Sequence, residues 1–388
     1  MKMLVLGAGL QGSACAFDLL RSSGVEEVVI ADIQVSAFPP FLEKMRSDAR
    51  LKPVTIDARD GAAVLALMRN ADACMNALPY YFNFEMARLA AEAGCHYADL
   101  GGNTEIVFKQ LELDAQAQAK GISIVPDCGL APGMVNILAA AGIDELDTPE
   151  ALRIRVGGLP QNPQPPLNYQ IVYSIEGVID YYTTRSWVLR NGEPHEVEAL
   201  SEVEPVRFPE PIGELEAFHT AGGLSTMAWT YRGRLRDMEY KTLRYPGHAD
   251  IMRSIRELGL LGLDPIKVGD KEVVPRAVFI AATEPILKKP ESPDLVALRV
   301  EVDGLKNGAP TTLVYELVDR MDQENRVSAM ERTTGYSLSI TGQMQVDGRI
   351  ARKGAFTPDQ GVPADHYVQE LGRRGVRIEK RSERLAVK

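Results

Sequence analysis

The first thirty-two residues constrain this chain more than any other stretch. An apolar run, Met3-Leu4-Val5-Leu6, leads through Gly7-Ala8-Gly9-Leu10-Gln11-Gly12 into a helical segment, and a second run, Val28-Val29-Ile30-Ala31, ends on Asp32. Glycines at this spacing prescribe a strand, a tight turn and a helix folded back on the strand, and an acid about 20 residues further on completes a dinucleotide-binding pattern. Gly7 serves the turn, Gly9 clears the approach of a pyrophosphate to the backbone, and Gly12 lets helix and strand close. The helix N-terminus at Leu10 and Gln11 offers unpaired N–H groups and a positive dipole end to phosphates. Asp32 is placed to accept hydrogen bonds from a ribose diol. A 2′-phosphate would meet its charge, and Ile33-Gln34-Val35-Ser36 brings no Arg or Lys to offset it. The expected cofactor is NAD.

The first third alternates strand and helix. Strands are expected at Lys52–Asp57, Ala71–Leu78, His96–Leu100 and Ile122–Pro126, with helices at Gly61–Arg69, Phe84–Ala93 and Glu105–Lys120. With the two strands already named, this predicts a doubly wound parallel sheet of the Rossmann type. Ligands bind such sheets beyond the carboxyl ends of the strands. Position alone therefore nominates Asp57, Asn76 to Tyr80, Asp99 to Gly102 and Asp127 to Gly133.

After Gly133 the pattern changes. A helix over Met134–Ala141 precedes strand-like runs at Ala151–Val156, Gln170–Ile175, Arg185–Arg190, Glu196–Val203, Leu215–Phe218, Arg234–Lys241, Ala277–Ala281, Val296–Val302 and Thr311–Arg320. The proline-rich Gly157–Pro166 reads as a loop, and Gly335–Val346 as a helix. The fold class is α/β, a Rossmann domain with a second, mostly antiparallel α+β domain. The expected units are 1–133 for the cofactor, 134–332 for substrate and dimerisation, and 333–388 returning to the first.

Several clusters carry polar chemistry. Asn76, Leu78 and Pro79 border the cofactor at a strand end, and Tyr80 turns toward the site or, like Tyr81, caps the core. Asp99 precedes Gly101 and Gly102, whose missing side chains permit close approach. It is expected either to take a proton from a substrate amine or, with Asn103, to cap the next helix. Asp127-Cys128-Gly129-Leu130-Ala131-Pro132-Gly133 makes a defined turn at the cleft mouth, with Pro132 beside the cofactor and Cys128 an inert thiol. In the second domain, Gly223-Leu224-Ser225-Thr226 offers hydroxyl donors. Lys241, Arg244 and His248 are grouped at the end of a strand, as a carboxylate site or as solvated surface. His219 and His248 are candidates by scarcity, and no metal-ligand spacing appears.

A formal net charge of -10 argues against nucleic acid or an anionic membrane surface as partner. Four scattered cysteines form no disulfide framework, no apolar run spans a bilayer, and the N-terminus already reads as a strand. A soluble cytoplasmic protein is expected.

The glycine loop, Ala77-Leu78-Pro79-Tyr80, His96-Tyr97-Ala98-Asp99-Leu100-Gly101-Gly102-Asn103, Gly129-Leu130-Ala131-Pro132-Gly133-Met134, Gly223-Leu224-Ser225-Thr226 and Tyr240-Lys241-Thr242-Leu243-Arg244-Tyr245-Pro246-Gly247-His248 together resemble the saccharopine dehydrogenase-like family. The pieces around Asp99 and Lys241 point within it to the lysine 6-dehydrogenases. The resemblance implies an NAD-binding domain, an inserted mixed domain, a homodimer or larger assembly, and an amino acid substrate. It implies cofactor roles for the glycines and Asp32, and active-site roles for Tyr80, Asp99, Lys241 and His248.

The expected reaction is NAD-dependent oxidative deamination of the side-chain amine of L-lysine. Asp99 or His248 would serve as base, Tyr80 would position the amine, and Lys241 and Arg244 would grip the carboxylate. The rivals are oxidation of a secondary amine, as in saccharopine or carboxynorspermidine, and a non-catalytic NAD-binding protein.

Overall fold

The computed structural model describes residues 1–289 and 292–384. Short apolar strands alternating with helices produce six parallel strands, β1 (Lys2–Leu6), β2 (Glu27–Asp32), β3 (Leu51–Thr55), β4 (Ala73–Asn76), β5 (His96–Asp99) and β6 (Ser123–Val125). Their order is β6-β5-β4-β1-β2-β3. The chain winds one way from β1 through β3 and the other way from β4 through β6, so the sheet's switch point lies between β1 and β4. Met3 to Leu6 are buried, as expected of a central strand covered on both faces. The helix expected over Glu105–Lys120 is two helices, Thr104–Leu111 and Asp114–Lys120, and the break turns Leu113 into the core.

The second layer is a nine-stranded sheet. Its strands are β7 (Thr148–Pro160), β8 (Ser186–Arg190), β9 (Glu193–Val197), β10 (Glu204–Arg207), β11 (Glu214–His219) and β12 (Asp237–Arg244), and, beyond a small β13–β14 hairpin (Ile266–Val268, Lys271–Val273), β15 (Asp294–Lys306), β16 (Ala309–Arg320) and β18 (Glu379–Arg384). The order is β10-β11-β12-β7-β15-β16-β18, with β8 and β9 extending from β12; β12 and β7 run parallel and the other pairs antiparallel.

Four expectations fail here, the first being Glu196–Val203, since that strand runs Glu193–Val197 and the chain turns before Glu204. Gln170–Ile175 is not a strand but a loop entering the helix Ile175–Thr183, which Ser174 caps by accepting from Gly177 N at 3.3 Å. Ala277–Ala281 lies inside the helix Pro275–Leu287, where Pro275 occupies the first turn, a position that needs no N–H donor. The loop expected from Gly157 begins only after Pro160, because β15 pairs with β7 to its end.

The C-terminal part joins both layers. The helix Ala329–Val346 crosses the helix Leu10–Leu20 so closely that a Cβ on Gly335 would lie 2.6 Å from Ala14 Cβ. β17 (Gly354–Ala355) then adds a seventh parallel strand beside β6, whereas β18 goes to the edge of the second sheet. Among the described residues no helix is long and apolar enough to cross a membrane. All four cysteines are buried free thiols.

Candidate functional site

A cavity of about 730 Å³ follows the carboxyl edge of the parallel sheet, with Gly9, Leu10, Gln11, Ala77 and Leu100 on one wall and the helix Pro275–Leu287 contributing Ile280 and Glu284 to the other. The glycine loop has the shape the sequence demands. Gly7 sits at φ +93°, and a Cβ on Gly12 would fall 1.9 Å from Gly7 O, whereas nothing lies within 4 Å of the Cβ position of Gly9. The loop is thus tight where strand and helix meet and open where a pyrophosphate would rest. Asp32 Oδ2 accepts from Ala8 N at 2.7 Å and Oδ1 from Gln34 N at 3.0 Å, and each oxygen keeps a lone pair for a ribose hydroxyl. Both amide atoms of Gln11 are buried without a partner, and Gln11 lines this cavity and the next. Buried polar atoms in folded proteins find partners, and a dinucleotide lying along the cleft supplies them. These residues fit the cofactor.

A second cavity of about 200 Å³ continues inward between the layers. The parallel sheet contributes Gly101 and Pro132, and the second layer Tyr173, Tyr181, Tyr240 and Arg244. Arg244 is only 3% exposed. Its Nε donates to the Tyr182 hydroxyl at 3.1 Å, one terminal nitrogen donates to Leu243 O at 2.8 Å, and its guanidinium carbon lies 4.8 Å from the centre of the Tyr169 ring. Among the described residues no carboxylate pairs with it. Burial opposes the charge, and the surrounding tyrosine hydroxyls more than offset that, so the group stays protonated. A buried cation lacking an anion costs free energy until one arrives. Among the described residues the chamber thus presents one buried cation without an anion beside it.

His248 does not face this chamber. Its Nδ1 lies 3.1 Å from Leu167 O, which only accepts, so Nδ1 carries the proton. Nε2, 3.0 Å from the Tyr182 hydroxyl, is then the acceptor. Burial, with the Arg244 cation adding to it, lowers the imidazole pKa to about 3. Neutral His248 thus orients Tyr182, and Tyr182 orients Arg244.

Lys241 is a correction. Successive side chains on a strand point to opposite faces, and β12 continues to Arg244, so Tyr240, Thr242 and Arg244 share the chamber face while Lys241 is turned away. There its Nζ donates to Glu202 O at 2.8 Å and lies 3.5 Å from Glu204 and 4.0 Å from Glu239. Glu202, His219 and Glu239 are close enough to share an ion, but Arg190 already pairs with both acids, at 3.0 and 2.8 Å.

Asp99 lies under the site rather than in it. Fully buried, it accepts from Gly101 N at 2.8 Å, Asp127 N at 3.2 Å and Gln110 Nε2 at 2.6 Å. It thereby pins the two turns that line the chamber, and the capping of the next helix falls to Asn103. Asn76 is similarly enclosed, donating to Asn83 at 2.9 Å and Tyr97 at 3.0 Å. Leu78 packs in the adjacent apolar cluster, Pro79 opens the short turn Tyr80–Phe82, and Asp57 is ion-paired with Arg59 at 2.5 Å.

Asp127 was nominated only as part of a turn. Its backbone takes φ +63°, and its carboxylate is wedged against Gly101, where any Cβ would fall 1.8 Å from Oδ1. Oδ2 accepts from Ser225 Oγ, and Oδ1 is buried without a partner. Burial lifts its pKa to about 8, the Ser225 hydrogen bond pulling the other way. Cys128 beside it is buried, its thiol pKa raised by burial.

Ser225 and Tyr80 line a third cavity of about 390 Å³, which shares Tyr181 and Ala221 with the central chamber. Thr226 is buried behind it and lines none of the three. The tyrosines at 169, 173, 181 and 182 carry no spacing signal; the doublet Tyr181-Tyr182 on an apolar helix is the one hint in the sequence.

Comparison with known proteins accords with this geometry. The saccharopine dehydrogenase NADP binding domain matches residues 3–125, and the saccharopine dehydrogenase C-terminal domain matches residues 129–376. A saccharopine dehydrogenase [NADP(+), L-glutamate-forming] of Pyricularia oryzae is 24% identical, over 74% of this chain and 63% of its own length. The mitochondrial alpha-aminoadipic semialdehyde synthase of Mus musculus is 25% identical, over 92% of this chain and 45% of its own. The chain thus spans less than two thirds of these relatives. Apo saccharopine dehydrogenase (L-Glu forming) from Saccharomyces cerevisiae superposes with a TM-score of 0.79 at 18% identity, covering 98% of this chain and 99% of that one. A homospermidine synthase from Legionella pneumophila, solved with NAD, gives 0.64 at 10% identity, covering 98% and 91%. With both halves of the chain matched, and a parallel sheet and a mixed sheet enclosing one chamber, the chain belongs to the saccharopine dehydrogenase family.

Proposed function

We propose that this protein oxidises the side-chain amine of L-lysine with NAD, releasing ammonia and the semialdehyde that closes to a cyclic imine. The observation that carries this reading is Arg244, a buried guanidinium with no acid beside it in a small chamber adjoining the dinucleotide cleft. It matches a substrate with one carboxylate.

A dinucleotide held at Gly9, Gln11 and Asp32 would supply the acceptor for the hydride on the carbon bearing the amine. The rest falls to the chain. Arg244, held by Tyr182, grips the α-carboxylate and sets the reach of the side chain. The tyrosine walls make the chamber less polar than bulk water, which favours the neutral amine over an ammonium whose ordinary pKa is about 10.4. Only the neutral amine has a lone pair to stabilise the developing iminium. Above about pH 8, where Asp127 is ionised, its carboxylate takes up the displaced proton, and Ser225 Oγ links it to the wall of the third cavity. Water then adds to the iminium, and ammonia leaves.

For the cofactor, Asp32 ends β2, and a carboxylate at that position supports a ribose diol and opposes a 2′-phosphate. Arg46 and Arg59, which reach this end of the sheet, are ion-paired with Glu43 and Asp57. These features support NAD, although the family description and the fungal relative name NADP.

The second reading, oxidation of saccharopine, is favoured by the names of the relatives. Saccharopine carries three carboxylates, and the central chamber offers one buried cation without an acid. Initial rates with NAD and NADP against lysine, ornithine, saccharopine and carboxynorspermidine separate the two. The highest kcat/KM is expected for lysine with NAD, and turnover of saccharopine alone rejects the proposal.

A further inference from the structure

We infer that the third cavity is an antechamber that takes up the alkylammonium end of the substrate before it passes Tyr181 into the central chamber. This rests on the amine-oxidising reading above. The first argument is position. The central chamber adjoins the dinucleotide cleft through Gln11, Leu100 and Tyr173, and the third cavity through Tyr181 and Ala221. With a dinucleotide filling the cleft, the third cavity still gives an amine a way in past Tyr181.

The second argument is chemistry. Tyr80, Tyr181 and Trp187 line this cavity, and aromatic faces attract organic cations. Three acids, Glu105, Asp180 and Glu196, stand against one cation, Arg185. Arg185 is ion-paired with Glu196 at 3.5 Å and Glu198 at 2.5 Å, and Asp180 with Arg276 at 2.6 Å. Among the described residues Glu105 is without an ion-pair partner. The cavity is therefore negative where the central chamber is positive. That polarity favours an amine over the two carboxylates of a glutamyl arm, by a modest margin because Glu105, Arg185 and Glu196 are exposed and screened by solvent.

The chain supplies its own reporter. It has two tryptophans, Trp187 in the cavity wall and Trp229 with ring centres 4.9 Å away, so emission excited at the indole edge reports this cavity. The protein without added cofactor is titrated with n-butylammonium chloride, with sodium chloride and L-norleucine as controls. A saturable change is expected with the ammonium alone. Glu105→Gln should weaken it about two- to fivefold with unchanged thermal unfolding, and should raise KM for lysine while KM for NAD stays put. Trp187→Phe should remove most of the signal. No saturable change, an equal change with sodium chloride, or an unaltered Glu105→Gln titration overturns the antechamber. Butylammonium binding without lysine oxidation overturns the reaction and leaves the antechamber standing; lysine oxidation without the fluorescence response does the reverse.

Discussion

The Tyr182 hydroxyl accepts a hydrogen bond from Arg244 Nε at 3.1 Å, and this bond aims into the central chamber a buried guanidinium that has no acid beside it among the described residues. Removing that charge with Arg244→Met should cost about 2–5 kcal/mol of substrate recognition, roughly 30-fold to a few thousandfold in kcat/KM for the amino acid. Dinucleotide affinity, titrated by NADH fluorescence, should stay unchanged. Equal losses in both would mean that Arg244 holds the layers together rather than the substrate.

His248 stands behind that pair and is neutral in the fold, with a pKa lowered to about 3 from an unfolded value of about 6.5. Between these values the unfolded chain binds a proton that the folded chain refuses, so stability rises with pH across the window. It is fully present above the unfolded value and lost as pH falls toward 3. Urea midpoints at pH 7.5 and pH 5.0 should differ less for His248→Gln than for the parent. An unchanged difference would show that His248 titrates normally. The same variant should raise KM for the amino acid through Tyr182 without moving the pH profile of kcat above pH 6, as expected of a positioning residue.

The cofactor loop was legible because its requirements are local. Gly7, Gly9 and Gly12 answer to backbone sterics within one turn, and Asp32 follows at a fixed spacing. The substrate side was not legible in the same way. The sequence brings Lys241, Arg244 and His248 together, but reading β12 as ending at Lys241 hid the alternation that separates Lys241 from Arg244. Asp99 sits at a strand end, where ligands bind, yet whether its oxygens face the cleft or the neighbouring turns is decided by Gln110 and the 127 backbone, which no local pattern ties to it. The tyrosines at 169, 173 and 181 gain their meaning only when the loop Gln170–Ser174 and the helix after it fold over the cleft.

Lys241 offers the converse test. It is buried on the far face beside Glu204 and Glu239, and removing it leaves those acids less compensated. Because Glu204 is partly exposed, solvent screens the loss, and Lys241→Met should cost about 1–2 kcal/mol of stability. Its kcat/KM for the amino acid should stay within a few fold of the parent. A collapse of kcat/KM at full stability would return Lys241 to the substrate site.

Asp32 sets cofactor choice if its carboxylate takes the ribose diol. Asp32→Ser removes the charge that faces a 2′-phosphate and should shift the NAD-to-NADP ratio of kcat/KM toward NADP by about tenfold or more, since each 1.4 kcal/mol is a factor of ten. A parent protein that already prefers NADP would place the 2′-phosphate elsewhere, with Arg46 or Arg59 released from its acid to meet it.

Asp127 and Ser225 make the sharpest pair. With a pKa of about 8 in the fold and about 3.9 when unfolded, Asp127 keeps its proton in the folded chain where the unfolded chain loses it. Its contribution is fully present below the unfolded value and is lost as pH rises toward 8. Asp127→Asn keeps a residue that tolerates the left-handed backbone and removes the titration, so its stability relative to the parent should improve steadily from pH 4 to pH 8. The same variant should lower kcat and erase the limb of the rate profile near pH 8. Ser225→Ala should also lower kcat, but it removes the hydrogen bond that favours the carboxylate, so the limb should move above 8 rather than vanish. If both variants merely shift stability and leave the rate profile alone, the proton leaves by another path and Asp127 serves only to lock the turn against Gly101.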